Sequence, residues 1–187
     1  LLGGYWAVMT FVPVPGIGVA SYAIDVNLAN WIDAHYLPGL LWEGVRDPEG
    51  LLSTLPAIGT CLLGVFAGLM LKDDRLEPQQ KSLWLIGAGI GLLALGHLWA
   101  LQFPIIKPIW TSSFVLVAGG YSAILLGVLH QVIDVWAFKR WATIFVWIGA
   151  NAITLYFLDN ATDLQAFAER FVGGDVTNFL ERAVAPG

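Results

Sequence analysis

Charge is scarce in this sequence: 12% of its 187 residues are Asp, Glu, Lys or Arg, against 57% that are hydrophobic. That balance excludes an ordinary water-soluble domain, in which about a quarter of the residues are charged. Cysteine is scarcer still. The single Cys61 rules out an intrachain disulfide and a cysteine-built metal cluster, and its place inside an apolar run makes it a small packing residue. The chain opens Leu1-Leu2-Gly3-Gly4-Tyr5-Trp6 with no basic region before it. A secretory signal peptide is therefore not expected, and residue 1 is expected to fall inside a helix that starts upstream. No phosphate-cradling glycine loop, nucleophile elbow or cluster of metal ligands is visible, so no metal and no nucleic-acid partner are expected. The net charge of −5 adds little, because the charges sit in short stretches between long apolar runs, as membrane topology requires.

Those apolar runs are the dominant feature. Crossing a hydrocarbon core of about 30 Å takes about 20 apolar residues, and four stretches qualify: 51 to 71, 82 to 102, 111 to 133 and 141 to 158. A fifth, 1 to 12, is long enough for half a span, the end of a helix begun upstream. The expected fold class is thus all-α, a polytopic transmembrane bundle of about four full spans and one partial N-terminal span, with short amphipathic helices outside. Lys72, Arg75, Lys81, Lys139 and Arg140 cluster in the connections 72–81 and 134–140, which the positive-inside rule places in the cytoplasm. The remaining loops then face outward, where Arg46, Lys107, Arg170 and Arg182 are diluted by Asp25, Asp33, Glu43, Asp47, Glu49, Asp159 and Asp163.

The longest polar segment is the outer loop 13–50, opened by Pro13, Pro15 and Gly16, which stop the first helix. Leu28, Trp31, Ile32, His35 and Tyr36 recur at helical spacing within it, with Asn27 as a cap, which predicts a short amphipathic helix at the membrane surface. Asp47-Pro48-Glu49-Gly50 reads as a helix start, since Asp caps free N–H groups, Pro fits the first turn and Glu favours the positive end of the dipole. Gly64 and Gly68, and Gly87 and Gly91, are spaced four apart, a pattern that lets helix backbones approach closely; packing within one bundle is favoured over a dimer face. Beyond 158 the chain turns polar, with modestly amphipathic helices expected over 163–171 and 176–183. This divides the chain into a membrane domain, 1–158, and a periplasmic amphipathic tail, 159–187.

Several blocks together form a recognisable pattern: Val12-Pro13-Val14-Pro15-Gly16, Asn27-Leu28-Ala29 with Ile32-Asp33, Asp47-Pro48-Glu49-Gly50-Leu51-Leu52-Ser53-Thr54, Leu63-Gly64-Val65 with Ala67-Gly68, and Lys107-Pro108-Ile109-Trp110-Thr111-Ser112-Ser113. The pattern covers residues 1 to 158 in order and resembles the heparan-α-glucosaminide N-acetyltransferase family and its bacterial multipass relatives. The resemblance implies an enzyme of the bacterial inner membrane that takes an acetyl group from acetyl-CoA, as cosubstrate, on the cytoplasmic side and delivers it to an amino sugar or envelope glycan outside. It also implies that the catalytic histidine lies in an N-terminal half that this sequence lacks, and that a final membrane helix is lacking too. No catalytic residue is therefore expected here, and the expected partners are membrane lipids, the remaining N-terminal helices of the same protein, and a homodimer or larger complex.

The candidate substrate-binding residues are Asp47, Glu49, Lys107, Trp110, Ser112, Ser113 and Asn151. Asp47 and Glu49 would orient an acceptor amine or a catalytic imidazole, with helix capping as the competing role. Lys107, Trp110 and the hydroxyl run after it offer a cation, an aromatic platform and small donors at a helix N-terminus, with interfacial anchoring as the alternative. Asn151 falls midway through an apolar span, where an amide usually finds an interhelical hydrogen bond. His97 and His130 raise the thought of a haem or pigment ligand, but a hydrogen-bonded interhelical or interfacial histidine is the simpler reading, and His35 is expected at the surface. The competing functional class is a non-catalytic accessory or structural subunit of a larger membrane complex, pigment- or haem-associated.

Overall fold

The computed structural model describes residues 1–37, 47 and 50–162, and these are helical nearly throughout. In order they form α1 (Leu2–Phe11), a small hairpin of β1 (Tyr22–Ala23) and β2 (Val26–Asn27), α2 (Leu28–Tyr36), α3 (Thr54–Lys72), α4 (Pro78–Ala100), α5 (Ser112–His130), α6 (Ala142–Ala150) and α7 (Ala152–Thr162). A π-helical turn, Gln131–Val135, continues α5. The chain divides into two compact units, residues 1–137 and residues 138 onward.

Three helices among the described residues are long and apolar enough to span a bilayer: Thr54–Lys72, Pro78–Ala100 and Ser112–Val135, of 19, 23 and 24 residues. At about 1.5 Å per residue each reaches roughly 30 Å or more. Their starts are written locally. Glu77 and Gln80 form a reciprocal capping box ahead of α4, with Pro78 at the first helical position, where its missing N–H is no loss. Thr111 caps α5, its Oγ1 accepting from Phe114 N at 3.4 Å. Large side chains such as Phe66, Leu69, Leu83, Trp84 and Leu98 are exposed on these helices, an apolar surface suited to lipid and not to water. Together they make a multipass membrane protein.

The close helix contact is between α4 and α5, and it uses glycines other than the expected ones. A Cβ on Gly89 would press on the carbonyl oxygen of Gly120 and the amide of Ile124, one on Gly96 on Val117, and one on Gly127 on the carbonyl oxygen of Ser82. Because the partners run backwards, 82 to 127, 89 to 120 and 96 to 117, the helices are antiparallel. At Gly64, Gly68, Gly87 and Gly91, the spacing-of-four pairs, an added methyl group would meet nothing within 4 Å, so they do not mediate this packing. Spacing finds small residues on one helix face but not which face meets a neighbour. Gly87→Ala should therefore be neutral or slightly stabilising, since Ala is the better helix former by up to about 1 kcal/mol, whereas Gly89→Ala should cost about 2 kcal/mol net. Denaturation in detergent of the two variants side by side measures the difference.

Two further expectations are corrected. The apolar stretch 141–158 is helical but interrupted: α6 and α7 meet at Asn151, whose backbone (φ −112, ψ 21) leaves helical geometry. Its side-chain Nδ2 donates to Trp147 O at 2.8 Å, so the amide is satisfied by its own segment instead of by another helix, and the residue is exposed. Cys61 is also exposed, so the expected packing role does not hold among the described residues of its own unit. The helices expected over 163–171 and 176–183 lie outside the described residues.

The most deeply buried apolar cluster lies at one end of the bundle, where α3 starts and α4 ends. Tyr5 and Met9 of α1, Val14, Leu28 and Ala29 at the head of α2, Phe103 and Ile109 form it. Tyr5 and Tyr22 both lean on Phe103, with ring centroids 6.1 and 5.1 Å away. Two hydrogen bonds tie α1 to the start of α5: Tyr5 OH donates to Ile109 O, and Ser112 Oγ donates to Leu2 O at 2.8 Å.

Candidate functional site

At that buried end α2 is held in place by asparagines. Asn27 caps it as expected, its Oδ1 accepting from Asn30 N at 3.0 Å, while its Nδ2 donates to Ala23 O and Ile24 O at 2.9 and 3.1 Å. Asn30 Nδ2 donates to Ile24 O at 2.7 Å, so the hairpin and helix are tied to each other. The buried face this creates carries Leu28, Ala29 and, one turn on, Asp33, whereas His35 and Tyr36 are exposed. His35 stacks on Trp31 with centroids 4.2 Å apart.

Asp33 is 1% exposed, and its Oδ1 accepts from Leu51 N at 2.8 Å. The other carboxyl oxygen lies directly over Gly50, where any Cβ would overlap it. Burial pushes the Asp33 carboxyl above the ordinary carboxylate range, the Leu51 hydrogen bond pulls it back, and the nearby charge of Asp47 pushes it up again. Asp33 does not stand out in the sequence as a site residue. The available signal is its position four residues after Ala29, on the same helical face.

The block around Asp47 departs from its expected form. α3 begins at Thr54, with residues 51–53 in a turn, and Asp33 supplies a carboxylate to a free N–H there. Gly50 O gathers three donors, Ser53 Oγ at 3.0 Å, Thr54 Oγ1 at 2.9 Å and Thr54 N at 3.2 Å. Asp47 is half-buried and its carbonyl accepts from Gly50 N at 3.2 Å. Glu49 lies outside the described residues.

A second cluster forms around the 106–113 turn. Trp110 sits at φ 51, the left-handed region that a bulky residue rarely adopts. Its backbone N donates to Lys107 O at 2.9 Å, its ring meets Phe114 edge-on at 5.4 Å, and its Nε1 donates to Thr60 Oγ1 of α3 at 3.3 Å. Lys107 is exposed. Thr111, Ser112 and Ser113 are fully buried, and their hydroxyls are engaged within the chain: Thr111 Oγ1 accepts from Ile106 N at 3.0 Å, and Ser113 Oγ donates to Pro104 O at 3.0 Å. Of the residues expected at this site, Lys107 is exposed and Trp110 is half-buried, while the serines hold the turn. Tyr5 joins the two clusters, bonding to Ile109 O and lying within electrostatic reach of Asp33.

Among the histidines, His130 Nδ1 is 2.8 Å from Ser82 Oγ, an interhelical bond between α5 and α4, and exposed His97 bonds to Leu93 O one turn back. Among the described residues no three His, Cys, Asp or Glu side chains converge as a metal set. Between α3 and the α4–α5 pair lies a cavity of about 430 Å³, lined by Thr60, Gly64, Ala67 and Met70 of α3, Leu85 and Leu92 of α4, and Gly119, Ser122 and Leu126 of α5 among others.

No family model matches the chain. It is similar to the heparan-alpha-glucosaminide N-acetyltransferases of Homo sapiens and Mus musculus, 28% identical to each across alignments of 187 and 186 positions that cover 83% of this chain. The same alignments cover 28% of each relative, so the chain spans a little over a quarter of the length of the curated proteins it matches. These two relatives support the relationship that the sequence blocks suggested.

Proposed function

We propose that the chain is part of an integral membrane acyltransferase and forms its acceptor side, at which an acetyl group from acetyl-CoA reaches the amine of an amino sugar or envelope glycan. In this reaction the amine nitrogen bonds to the thioester carbonyl carbon, the carbon–sulfur bond breaks, the amine proton passes to a base, and coenzyme A leaves as the thiol. The observation that carries the reading is the Asp33 carboxyl fastened to the turn that leads into α3. By holding Leu51, with Gly50 beneath it, Asp33 fixes the 50–54 turn and so positions half-buried Asp47, a carboxylate suited to an ammonium acceptor. Lys107 and Trp110 complete the acceptor site with a cation and a sugar-stacking ring, and Glu49 is a supporting candidate. By resemblance, the catalytic imidazole and most of the acetyl-CoA site belong to the remaining N-terminal helices. The protein would lie in the bacterial inner membrane with 72–81 and 134–140 cytoplasmic and 13–50 periplasmic.

In the full-length protein, Asp47→Ala and Lys107→Ala should each lower acetyl transfer to glucosamine by roughly tenfold or more, the scale of one lost charge-assisted contact of about 1.4 to 3 kcal/mol. Rates unchanged in both variants would remove these residues from the site. An intact full-length protein that transfers no acetyl group to any amino sugar would favour the accessory-subunit reading instead.

A further inference from the structure

The cavity between α3 and the α4–α5 pair plays no part in the acceptor site described above, yet the two are linked through Thr60, which lines the cavity and accepts from Trp110. Its volume of about 430 Å³ falls in the range of small-ligand pockets. At about 30 Å³ per water-sized group it holds roughly fourteen such groups, enough for one long hydrocarbon chain. The chemistry of its wall agrees. The hydroxyls on it, Thr60 and Ser122, already donate to Pro56 O and Ala118 O at 3.4 and 2.8 Å, so no free donor faces a polar guest. Gly64, where a Cβ would meet nothing, keeps the α3 side open. A sugar or nucleotide would lose its hydration there without replacement.

Thr60, on the wall of this cavity, is where the Trp110 indole bonds. Trp110 is held in its left-handed conformation by its amide bond to Lys107 O and by the Tyr5 bond to the preceding carbonyl. That turn brings the indole to Thr60 on the cavity wall and leaves Lys107, whose carbonyl holds the Trp110 amide, exposed. Hydrocarbon below, an aromatic sill and a cation beyond match a molecule with one long chain that ends in a phosphate.

We propose that the acceptor is lipid-linked: an amino sugar or glycan carried on a single-chain alkyl or isoprenoid phosphate, with the chain in this cavity, the phosphate at Lys107 and the sugar facing Asp47. The inference rests on the acyltransferase reading and narrows its substrate class. It is tested on the full-length protein in nanodiscs with two photoreactive diazirine probes, hexadecyl phosphate and hexadecanol. Saturable labelling of peptides from 60–70 and 119–126, competed by unlabelled hexadecyl phosphate and not by excess phosphatidylglycerol, is the expected result. Ala67→Trp, and independently Gly64→Leu, should cut labelling at least tenfold, while Gly87→Leu on an open face leaves it intact. Lys107→Gln should weaken the phosphate probe about fivefold and leave the alcohol probe unchanged. Equal competition by phosphatidylglycerol, or labelling indifferent to both cavity-filling variants, overturns the proposal. Acetyl transfer to free glucosamine that persists while labelling fails separates the two readings, since the lipid-linked acceptor then falls and the transferase stands.

Discussion

Gly50→Ala is expected to destabilise the folded chain by about 3 kcal/mol, the upper end of what overpacking costs. The backbone at Gly50 is open to any residue, so the effect is purely steric: the new methyl group would occupy the space of the Asp33 carboxyl. Asp33 has little room to retreat, being buried and bonded to Leu51 N. Either α2 tilts away or the 50–54 turn gives up its three-donor arrangement on Gly50 O. A double-mutant cycle separates this from a general intolerance of the position. Asp33→Ala alone should destabilise by leaving Leu51 N unpartnered, but Asp33→Ala with Gly50→Ala should be much milder than the sum, because the methyl then fills the vacated space. Unfolding midpoints in detergent for the four proteins decide it, and simple additivity would contradict the contact.

The second large effect is on pH dependence and turnover through Asp33. Its folded-state pKa is raised, so the folded chain holds this proton more tightly than the unfolded chain does. The resulting stability is full below the ordinary aspartate pKa of about 3.9 and is lost as pH rises through the raised folded value. Asp33→Asn keeps an acceptor for Leu51 N and removes the titration. The wild-type midpoint minus the Asn midpoint should therefore fall as pH rises from about 4 and then level off; a difference flat with pH would contradict the raised pKa. The proposed acyltransferase role predicts that in the full-length protein Asp33→Ala lowers acetyl transfer on the order of 100-fold while Asp33→Asn retains most of it, as expected if its task is to position the turn. Equal losses in the two variants would instead point to the charge itself.

The sequence made the spans and their connections legible because both follow from composition and length, properties that do not depend on distant contacts. Local caps were equally readable: Asn27 heads α2 where its side chain predicts, and Pro78 opens α4. What resisted reading was long-range. Asp33 meets Leu51 across 18 positions, so a carboxylate at the mouth of α3 comes from α2, an element that the local sequence around residue 50 does not point to. The glycines that let α4 and α5 approach, Gly89, Gly96, Gly120 and Gly127, are spaced by seven, two turns apart on each helix, and their neighbours decide their role. At the candidate site Lys107 and Trp110 are singled out by residue type alone, and the serines beside them are bonded within the fold. Thr60 was invisible until the Trp110 backbone turned left-handed to reach it.

The bonds that fasten α1 to the far side of the unit also bear on how the protein is made. Tyr5 and Ile109 are separated by 104 positions and Ser112 and Leu2 by 110. At ribosomal speeds of about 5 to 20 residues per second, α1 is made roughly 5 to 20 s before its partners exist. During that interval Tyr5 and Trp6 lack Phe103, Trp99 and Ile109, the late-made partners they pack against or bond to. α1 must be sheltered by lipid, the insertion machinery or a neighbouring segment, and it docks only after α4 has turned back into α5. Biogenesis of this chain is thus a waiting problem, and lengthening the interval, for instance with slow codons between 60 and 100, should raise degradation without touching any residue of the finished fold.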